Sequence, residues 1–100
     1  MSLLIDIVSE EKARIKKMIS GYEQEMTVLP KGSLVCKKVK GKAYYYLQFR
    51  DGKKTVSSYI GGESEKTEKL REQISRRKHI DSMLKELRAE YAQAIKMIGE

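Results

Sequence analysis

The sequence predicts an α+β fold: a helix, a three-stranded antiparallel β-meander and a long second helix. Apolar residues recur at three- and four-residue steps near both ends, and β-branched and aromatic residues concentrate in the middle. Glycine and proline turn signals separate these parts. Short connections should make the helices neighbours, packed as an antiparallel coiled-coil-like hairpin. A chain of 100 residues fits one domain spanning 1–100.

The first helix is predicted at about residues 4–27. Its apolar positions follow helical spacing, with charged residues between them: Leu4, Val8, Ile15, Met18, Ile19, Tyr22 and Met26. Gly21 should weaken this helix by about 1 kcal/mol relative to alanine. Pro30 should end it, because the residue before a proline avoids helical backbone angles.

Three strands are predicted at about residues 34–39, 43–50 and 53–60. Asp51-Gly52 is a strong hairpin signal, and a two-residue loop there would pair Arg50 with Lys53. The same register would place Tyr44 opposite Tyr59. The turn at residues 40–42 is a weaker signal. A two-residue turn there places Leu34 and Cys36 on the same face of the sheet as Tyr45. A three-residue turn would exchange the two faces of the first strand.

These turns sort the side chains of the sheet into two faces. The core face is expected to pack on the helices, and it carries Leu34, Cys36, Ala43, Tyr45, Leu47, Phe49, Val56, Ser58 and Ile60. The opposite face carries Val35, Lys37, Val39, Tyr44, Tyr46, Gln48, Arg50, Lys53, Thr55, Ser57 and Tyr59. We interpret Cys36 as a small, inert apolar residue of the core face.

The second helix is predicted at about residues 64–98, with Ser64 as its N-cap. One apolar stripe contains Leu70 and Ile74, and another contains Ile80, Leu84, Leu87, Tyr91, Ala94 and Ile98. The stripes are out of step across residues 76–79. The helix therefore either continues with a shifted seam or breaks near Asp81. We favour a single helix, because neither proline nor glycine interrupts this stretch.

The formal net charge of +7 favours contact with polyanions such as nucleic acid, although it could also serve solubility alone. The single cysteine excludes an internal disulfide framework and fits a reducing compartment. No stretch approaches the roughly 18 apolar residues of a membrane span, and the start lacks the apolar core of a signal peptide. A cytoplasmic location is expected, with no membrane contact.

No catalytic or cofactor-binding constellation is recognisable. His79 is the only histidine, so it cannot build a metal site without companions, and we interpret it as a surface residue. A Gly-rich phosphate loop and a nucleophile–histidine pair are also absent. Gly61-Gly62 precedes a helix and could bind an anion, but nearby Glu63 and Glu65 favour simple capping. The sequence therefore predicts a non-enzymatic protein without metal or cofactor.

Two groups of residues are candidates for binding a partner. On the sheet, rings with polar tips lie among cations, as in surfaces that stack bases and contact phosphates: Lys37, Tyr44, Tyr46, Arg50, Lys53 and Tyr59. On the second helix, a basic run could follow phosphates or be a solvated face: Arg71, Arg76, Arg77 and Lys78. The tyrosines could instead stabilise an exposed sheet face or be covered by helix ends or a second subunit.

Several segments of the chain together resemble a family of small uncharacterised proteins of Gram-positive bacteria. The resemblance is carried by Leu29-Pro30-Lys31-Gly32-Ser33, by residues 41–48 (GKAYYYLQ), by Tyr59-Ile60-Gly61 and by Arg76-Arg77-Lys78. It implies a hairpin motif between two charged helices and no known activity. The meander also loosely resembles the arm-type DNA-binding domains of tyrosine recombinases, which lack the long flanking helices.

Two functional hypotheses follow for a small basic accessory protein. In the first, the tyrosine-bearing side of the sheet binds the backbone of DNA or RNA. In the second, the apolar stripes of the helices form an interface with another protein or a second copy of the chain. Phosphate contacts would make affinity fall steeply with ionic strength, whereas an apolar helical interface would respond little to salt.

Overall fold

The structure is a computed structural model that describes residues 3–98. In chain order it contains α1 (Leu3–Met26), β1 (Ser33–Val39), β2 (Lys42–Asp51), β3 (Lys54–Gly61) and α2 (Glu65–Ile98). The α+β fold and its element order are therefore confirmed, with each predicted boundary within one residue of the observed one. α2 is helical throughout its length, as expected for a single helix.

The described residues group into two compact units. The helical unit contains residues 3–28 and 79–98, and the sheet unit contains residues 29–78. α2 contributes its first part to the sheet unit and its remainder to the helical unit. A single domain for the whole chain stays a prediction.

In the helical unit, α1 packs against the second part of α2. The predicted apolar stripes form its core, where the side chains of Ile15, Ile80, Leu84, Leu87 and Ala94 are buried. Ile7 and Val8 line a cleft together with Ala94 and Met97, so the start of α1 lies beside the end of α2. Further along α1, Glu23 forms an ion pair with Arg88 at 3.8 Å. The two helices therefore run antiparallel, as predicted.

The sheet has the strand order β1-β2-β3, with both neighbouring pairs antiparallel. Val39 pairs with Lys42, so the first hairpin has the two-residue loop Lys40-Gly41. Both loop residues have positive φ angles, 51° and 81°, as a type I′ turn requires. This confirms the two-residue alternative and keeps Cys36 in line with Tyr45.

The predicted register of the second hairpin is wrong, because its two-residue loop begins one residue later than predicted. Asp51 pairs with Lys54, which makes Gly52-Lys53 the loop, and Arg50 pairs with Thr55 and not with Lys53. Gly52 has φ 65° and Lys53 does not have positive φ, a combination typical of a type II′ turn. Glycine accepts the positive φ without strain, whereas a type I′ turn at residues 51–52 would impose it on the aspartate as well.

The faces of the sheet nevertheless remain as predicted. Moving both ends of the loop by one residue changes each cross-strand partner by two positions, and side chains alternate with a period of two. Phe49 therefore shares a face with Val56, and Tyr46 shares the opposite face with Tyr59. The expected pairing of Tyr44 with Tyr59 is wrong.

α2 covers the core face of the sheet with its first part. Leu34 and Tyr45 line a cleft with Ile74 of α2, whose side chain is buried. The placement of Cys36 in the core is wrong, since this residue is exposed. β1 is an edge strand, so side chains on it lack a neighbouring strand on one side.

Ser64 is the N-cap of α2, as predicted. Its side-chain oxygen accepts a hydrogen bond from the backbone N–H of Thr67 at 3.4 Å, and its carbonyl accepts one from Glu68 at 3.0 Å. The fully buried Thr67 hydroxyl donates to the carbonyl of Gly62 at 2.7 Å. These bonds join the end of the sheet to the first turn of the helix.

Neither α1 nor α2 contains a stretch apolar enough to cross a bilayer.

Candidate functional site

Three tyrosines meet on the side of the sheet opposite to α2. We call this side the tyrosine face; it consists of the strand residues that share the side of Tyr44, Tyr46 and Tyr59. The ring centroids of Tyr46 and Tyr59 are 5.3 Å apart with the planes tilted by 58°, and those of Tyr44 and Tyr59 are 6.4 Å apart. Distances in this range are typical of tilted aromatic pairs. The Tyr59 side chain is 57% exposed, so part of this cluster is open to a partner.

Lys37 adds a positive charge to this cluster. It pairs with Tyr44 across β1 and β2, and its ammonium nitrogen lies 4.8 Å from the centroid of the Tyr46 ring, one pair further along the sheet. This distance is within the range of a cation–π interaction. The sheet register therefore brings together four of the six predicted sheet residues: Lys37, Tyr44, Tyr46 and Tyr59.

A β-bulge interrupts β3 directly after Tyr59. Tyr46 pairs with Tyr59 while the preceding Tyr45 pairs with Gly61, so Ile60 is an extra residue in β3. Bulges of this kind redirect side chains near the end of a strand. The bulge is not among the features predicted from the sequence. Gly61, with φ 132°, is the signal that could have indicated it, because glycine inside a strand often marks such a site.

Among the strand residues, the tyrosine face carries only positive formal charges. Its ionisable strand residues other than tyrosine are Lys37, Lys42 and Arg50, and the carboxylate of the second hairpin, Asp51, lies on the opposite side, paired with Lys54. Such a one-sided arrangement raises the local concentration of anions near the sheet.

Arg50 and Lys53 lie away from the tyrosine cluster. Arg50 shares the tyrosine face but is four residues from Tyr46 along β2, which is roughly 13 Å in an extended strand. Lys53 lies in the hairpin loop, outside the paired strands. The two cations could extend a binding surface toward the hairpin, but the structure does not place them at the tyrosines.

A second cluster, which the sequence analysis did not predict, joins the core face to α2. The Tyr45 hydroxyl donates a 2.6 Å hydrogen bond to the Glu63 carboxylate, and the Arg71 guanidinium lies 5.5 Å from the centroid of the Tyr45 ring. Arg71 also forms ion pairs with Glu63, at 3.6 Å, and with Glu68. The hydrogen bond from Tyr45 lowers the pKa of Glu63, and the same bond raises the pKa of Tyr45.

The predicted basic run on α2 does not form one patch. At 3.6 residues per turn, Arg71 and Lys78 lie on the same side of the helix, whereas Arg76 and Arg77 point to other sides. Arg77 donates to the backbone carbonyl of Leu29 at 3.0 Å. Arg71 is held by two carboxylates, as described above. Two of the four residues therefore have structural partners within the sheet unit.

No group of three or more His, Cys, Asp and Glu side chains among residues 3–98 could hold a metal ion. His79 is exposed on α2, where the sequence analysis placed it. The geometry of the tyrosine face instead offers aromatic edges, one exposed ring and cations, which can stack on planar groups and contact anions.

A family model described as a domain of unknown function, DUF6788, matches residues 6–72. The chain belongs to the DUF6788 family. The match covers most of α1, the three strands and the beginning of α2, so the tyrosine face lies within the DUF6788 region. It agrees with the resemblance to a family of uncharacterised small proteins. No curated protein and no solved structure matches this chain, so the likeness to recombinase arm domains stays a prediction.

Proposed function

We propose that this DUF6788 protein is a non-enzymatic, cytoplasmic accessory protein that binds nucleic acid through its tyrosine face. The observation that carries the proposal is the cluster of Tyr46, Tyr59 and Lys37, with 5.3 Å between the two rings and 4.8 Å from the ammonium to the Tyr46 ring. The cluster lies on a sheet face whose charged strand residues are all basic, in a chain of net charge +7.

Each component has a distinct role in this proposal. The tilted rings do not form a flat platform, so the half-exposed ring of Tyr59 is the surface on which a base would stack. Stacking of one base on an aromatic side chain contributes about 1–3 kcal/mol. Lys37, and Arg50 nearer the hairpin, would contact phosphates, which adds affinity without sequence preference.

Single-stranded DNA or RNA is the form of nucleic acid that this geometry favours. Bases in a duplex are stacked on one another and do not present their flat sides, whereas bases in a single strand can stack on an exposed tyrosine. Fluorescence anisotropy with single- and double-stranded oligonucleotides at two salt concentrations tests the proposal. We expect tighter binding of the single strand and weaker binding at the higher salt; no binding at low salt would exclude nucleic acid as the partner.

The helical unit favours a second candidate function, self-association through α1 and the end of α2. Large apolar side chains at the start of α1 are exposed, including Leu3 and Leu4 at 76% and 62%, and Met97 near the end of α2 is 58% exposed. Burying such a group against a second copy would remove apolar surface from water.

Light scattering at several protein concentrations distinguishes this second candidate. A dimer whose stability is insensitive to salt and is reduced in Leu4→Ser would support an apolar helical interface. A strict monomer over the whole concentration range would exclude self-association through this surface. Because Leu4 lies in the helical unit, this substitution leaves the tyrosine face unchanged.

A further inference from the structure

A cleft of about 310 Å³ lies within the sheet unit, between the core face of the sheet and α2. Its apolar lining comes from Leu34 of β1, the Tyr45 ring of β2 and Ile74 of α2. Its volume is near the lower end of the roughly 300–1,000 Å³ typical of small-molecule sites. It lies on the side of the sheet opposite to the tyrosine face, so it is separate from the proposed nucleic-acid surface.

The polar side chains that line this cleft, Arg71, Ser75 and Lys78, come from α2. Ser33 borders the cleft at the start of β1, but it pairs with Gln48, so its side chain belongs to the tyrosine face. The spacing of the α2 residues places them on one side of the helix, with Arg71 and Lys78 about 10 Å apart along its axis. No carboxylate belongs to the lining of the cleft.

The polar groups of the cleft differ in whether they already have partners. Arg71 is paired with Glu63 and Glu68. By contrast, the side chains of Ser75 and Lys78 form no hydrogen bond or ion pair with another residue of the described range 3–98. One end of the cleft therefore presents an ammonium group and a hydroxyl with free donors, next to an apolar wall.

We propose that this cleft binds a small aromatic phosphate monoester. The phosphate would accept hydrogen bonds from the Lys78 ammonium and the Ser75 hydroxyl, which are charge-assisted and therefore stronger than neutral ones. The aromatic group would lie against Leu34, Ile74 and the Tyr45 ring. A nucleoside monophosphate and a simple aryl phosphate share this chemistry, and they differ in the polarity and size of the group attached to the phosphate.

Titration of the ¹⁵N-labelled full chain with phenyl phosphate, adenosine monophosphate and inorganic phosphate tests this site by amide chemical shifts. We expect at least one of the two aromatic esters to shift residues around 33–34, 45 and 74–78, and to bind about tenfold more tightly than inorganic phosphate. Whichever ester binds more tightly identifies the type of aromatic group preferred. Failure of both esters to shift these residues would overturn the proposal.

A matched pair of lysine variants separates a specific contact from general charge attraction. Lys78 lines the cleft, whereas the exposed Lys69 lies on the same helix, nine residues earlier and turned away from Arg71 by about 160°. Lys78→Gln should weaken ester binding about tenfold, the usual scale for losing a hydrogen bond to a charged group, and Lys69→Gln should leave it unchanged. Equal weakening by both variants would overturn the site. The probes are single small molecules and not oligonucleotides. The outcome of this test is therefore independent of whether the tyrosine face binds oligonucleotides.

Discussion

Two glycines, Gly32 and Gly21, have opposite roles that their surroundings explain. At Gly32, φ is 111°, and a Cβ atom would lie 2.2 Å from the backbone oxygen of Gln48. At Gly21, in the middle of α1, a Cβ atom would meet nothing within 4 Å. The first glycine is therefore required by close backbone contact, and the second only adds conformational freedom to the unfolded chain.

Replacing Gly32 with alanine should strongly destabilise the sheet unit. The added methyl group cannot fit without movement of β2, and the positive φ is unfavourable for any residue with a Cβ atom, so we expect a loss of at least ~2 kcal/mol. Urea denaturation monitored by circular dichroism measures the change. A loss below 0.5 kcal/mol, on the order of a neutral surface change, would contradict the close contact.

Replacing Gly21 with alanine should have the opposite effect. Alanine favours helix over glycine by about 0.5–1 kcal/mol at an exposed interior position, and no neighbouring atom opposes the methyl group. The same denaturation experiment should therefore show increased stability. Destabilisation by this variant would contradict the open space around Gly21, because it would show that other atoms pack against α1 at this position.

At the scale of elements, the junction between β3 and α2 depends on two hydroxyls. Ser64 caps the helix, and the buried Thr67 hydroxyl satisfies the Gly62 carbonyl. Ser64→Ala should cost about 1 kcal/mol, and Thr67→Val, which keeps the shape but removes the hydrogen bond, about 1–3 kcal/mol. Thr55→Val, at an exposed strand position, is the matched control and should be nearly neutral. If Thr67→Val is as neutral as the control, the hydroxyl does not hold the junction.

The hydrogen bond between Tyr45 and Glu63 should make the link between sheet and helix depend on pH. The pKa of Glu63 is lowered in the folded protein, so the ionised carboxylate stabilises the fold. This contribution to the free energy of unfolding is fully present above the ordinary glutamate pKa of about 4.3, and it is lost as pH falls through the lowered pKa. The pKa of Tyr45 is raised, so its contribution is present below about pH 10 and is lost as pH rises through the raised value.

Denaturation of the wild type and Tyr45→Phe between pH 3 and 7 measures this dependence. The stability difference between them should be constant near neutral pH and should shrink as Glu63 becomes protonated in acid. In the same variant, the Glu63 pKa, followed by carboxyl NMR, should move up toward its ordinary value. A difference that does not change with pH would show that the hydroxyl and the carboxylate are not joined in solution.

The order and bounds of the elements were predictable from the sequence because local signals agree. Pro30 follows shortly after the end of α1 at Met26, the two loop glycines Gly41 and Gly52 mark the hairpins, and apolar spacing marks the helices. The residue that begins the second loop was not predictable, since Asp51-Gly52 and Gly52-Lys53 are both acceptable two-residue loops. Side-chain alternation made the faces insensitive to this error, so the tyrosine face was predicted correctly despite the wrong pairing.

Contacts between distant residues were less accessible to the sequence. The cluster of Tyr45, Glu63 and Arg71 depends on where α2 crosses the sheet, which no local pattern specifies. The exposure of Cys36 was also not predicted, although a meander already places β1 at an edge of the sheet. The bulge at Ile60, which follows Tyr59 in β3, is a tertiary feature with only a glycine as its local sign.

At the scale of the whole molecule, the positive charge is the property that most directly concerns function. A net charge of +7 would attract any polyanion, so binding alone does not identify the surface used. Two neighbouring lysines of β1 offer a sharper comparison. Lys37 lies on the tyrosine face and Lys38 on the opposite side, and both are exposed, so neutralising either one changes the net charge equally.

The salt dependence of single-stranded oligonucleotide binding by Lys37→Gln and Lys38→Gln tests the role of the tyrosine face most directly. A plot of log Kobs against log salt has a negative slope, and each lost phosphate contact makes this slope less steep by about 0.7 for a single strand. We predict that Lys37→Gln loses affinity and reduces the slope by about this amount, whereas Lys38→Gln keeps both wild-type values. Equal effects of the two variants, or no effect of Lys37→Gln, would contradict binding through the tyrosine face.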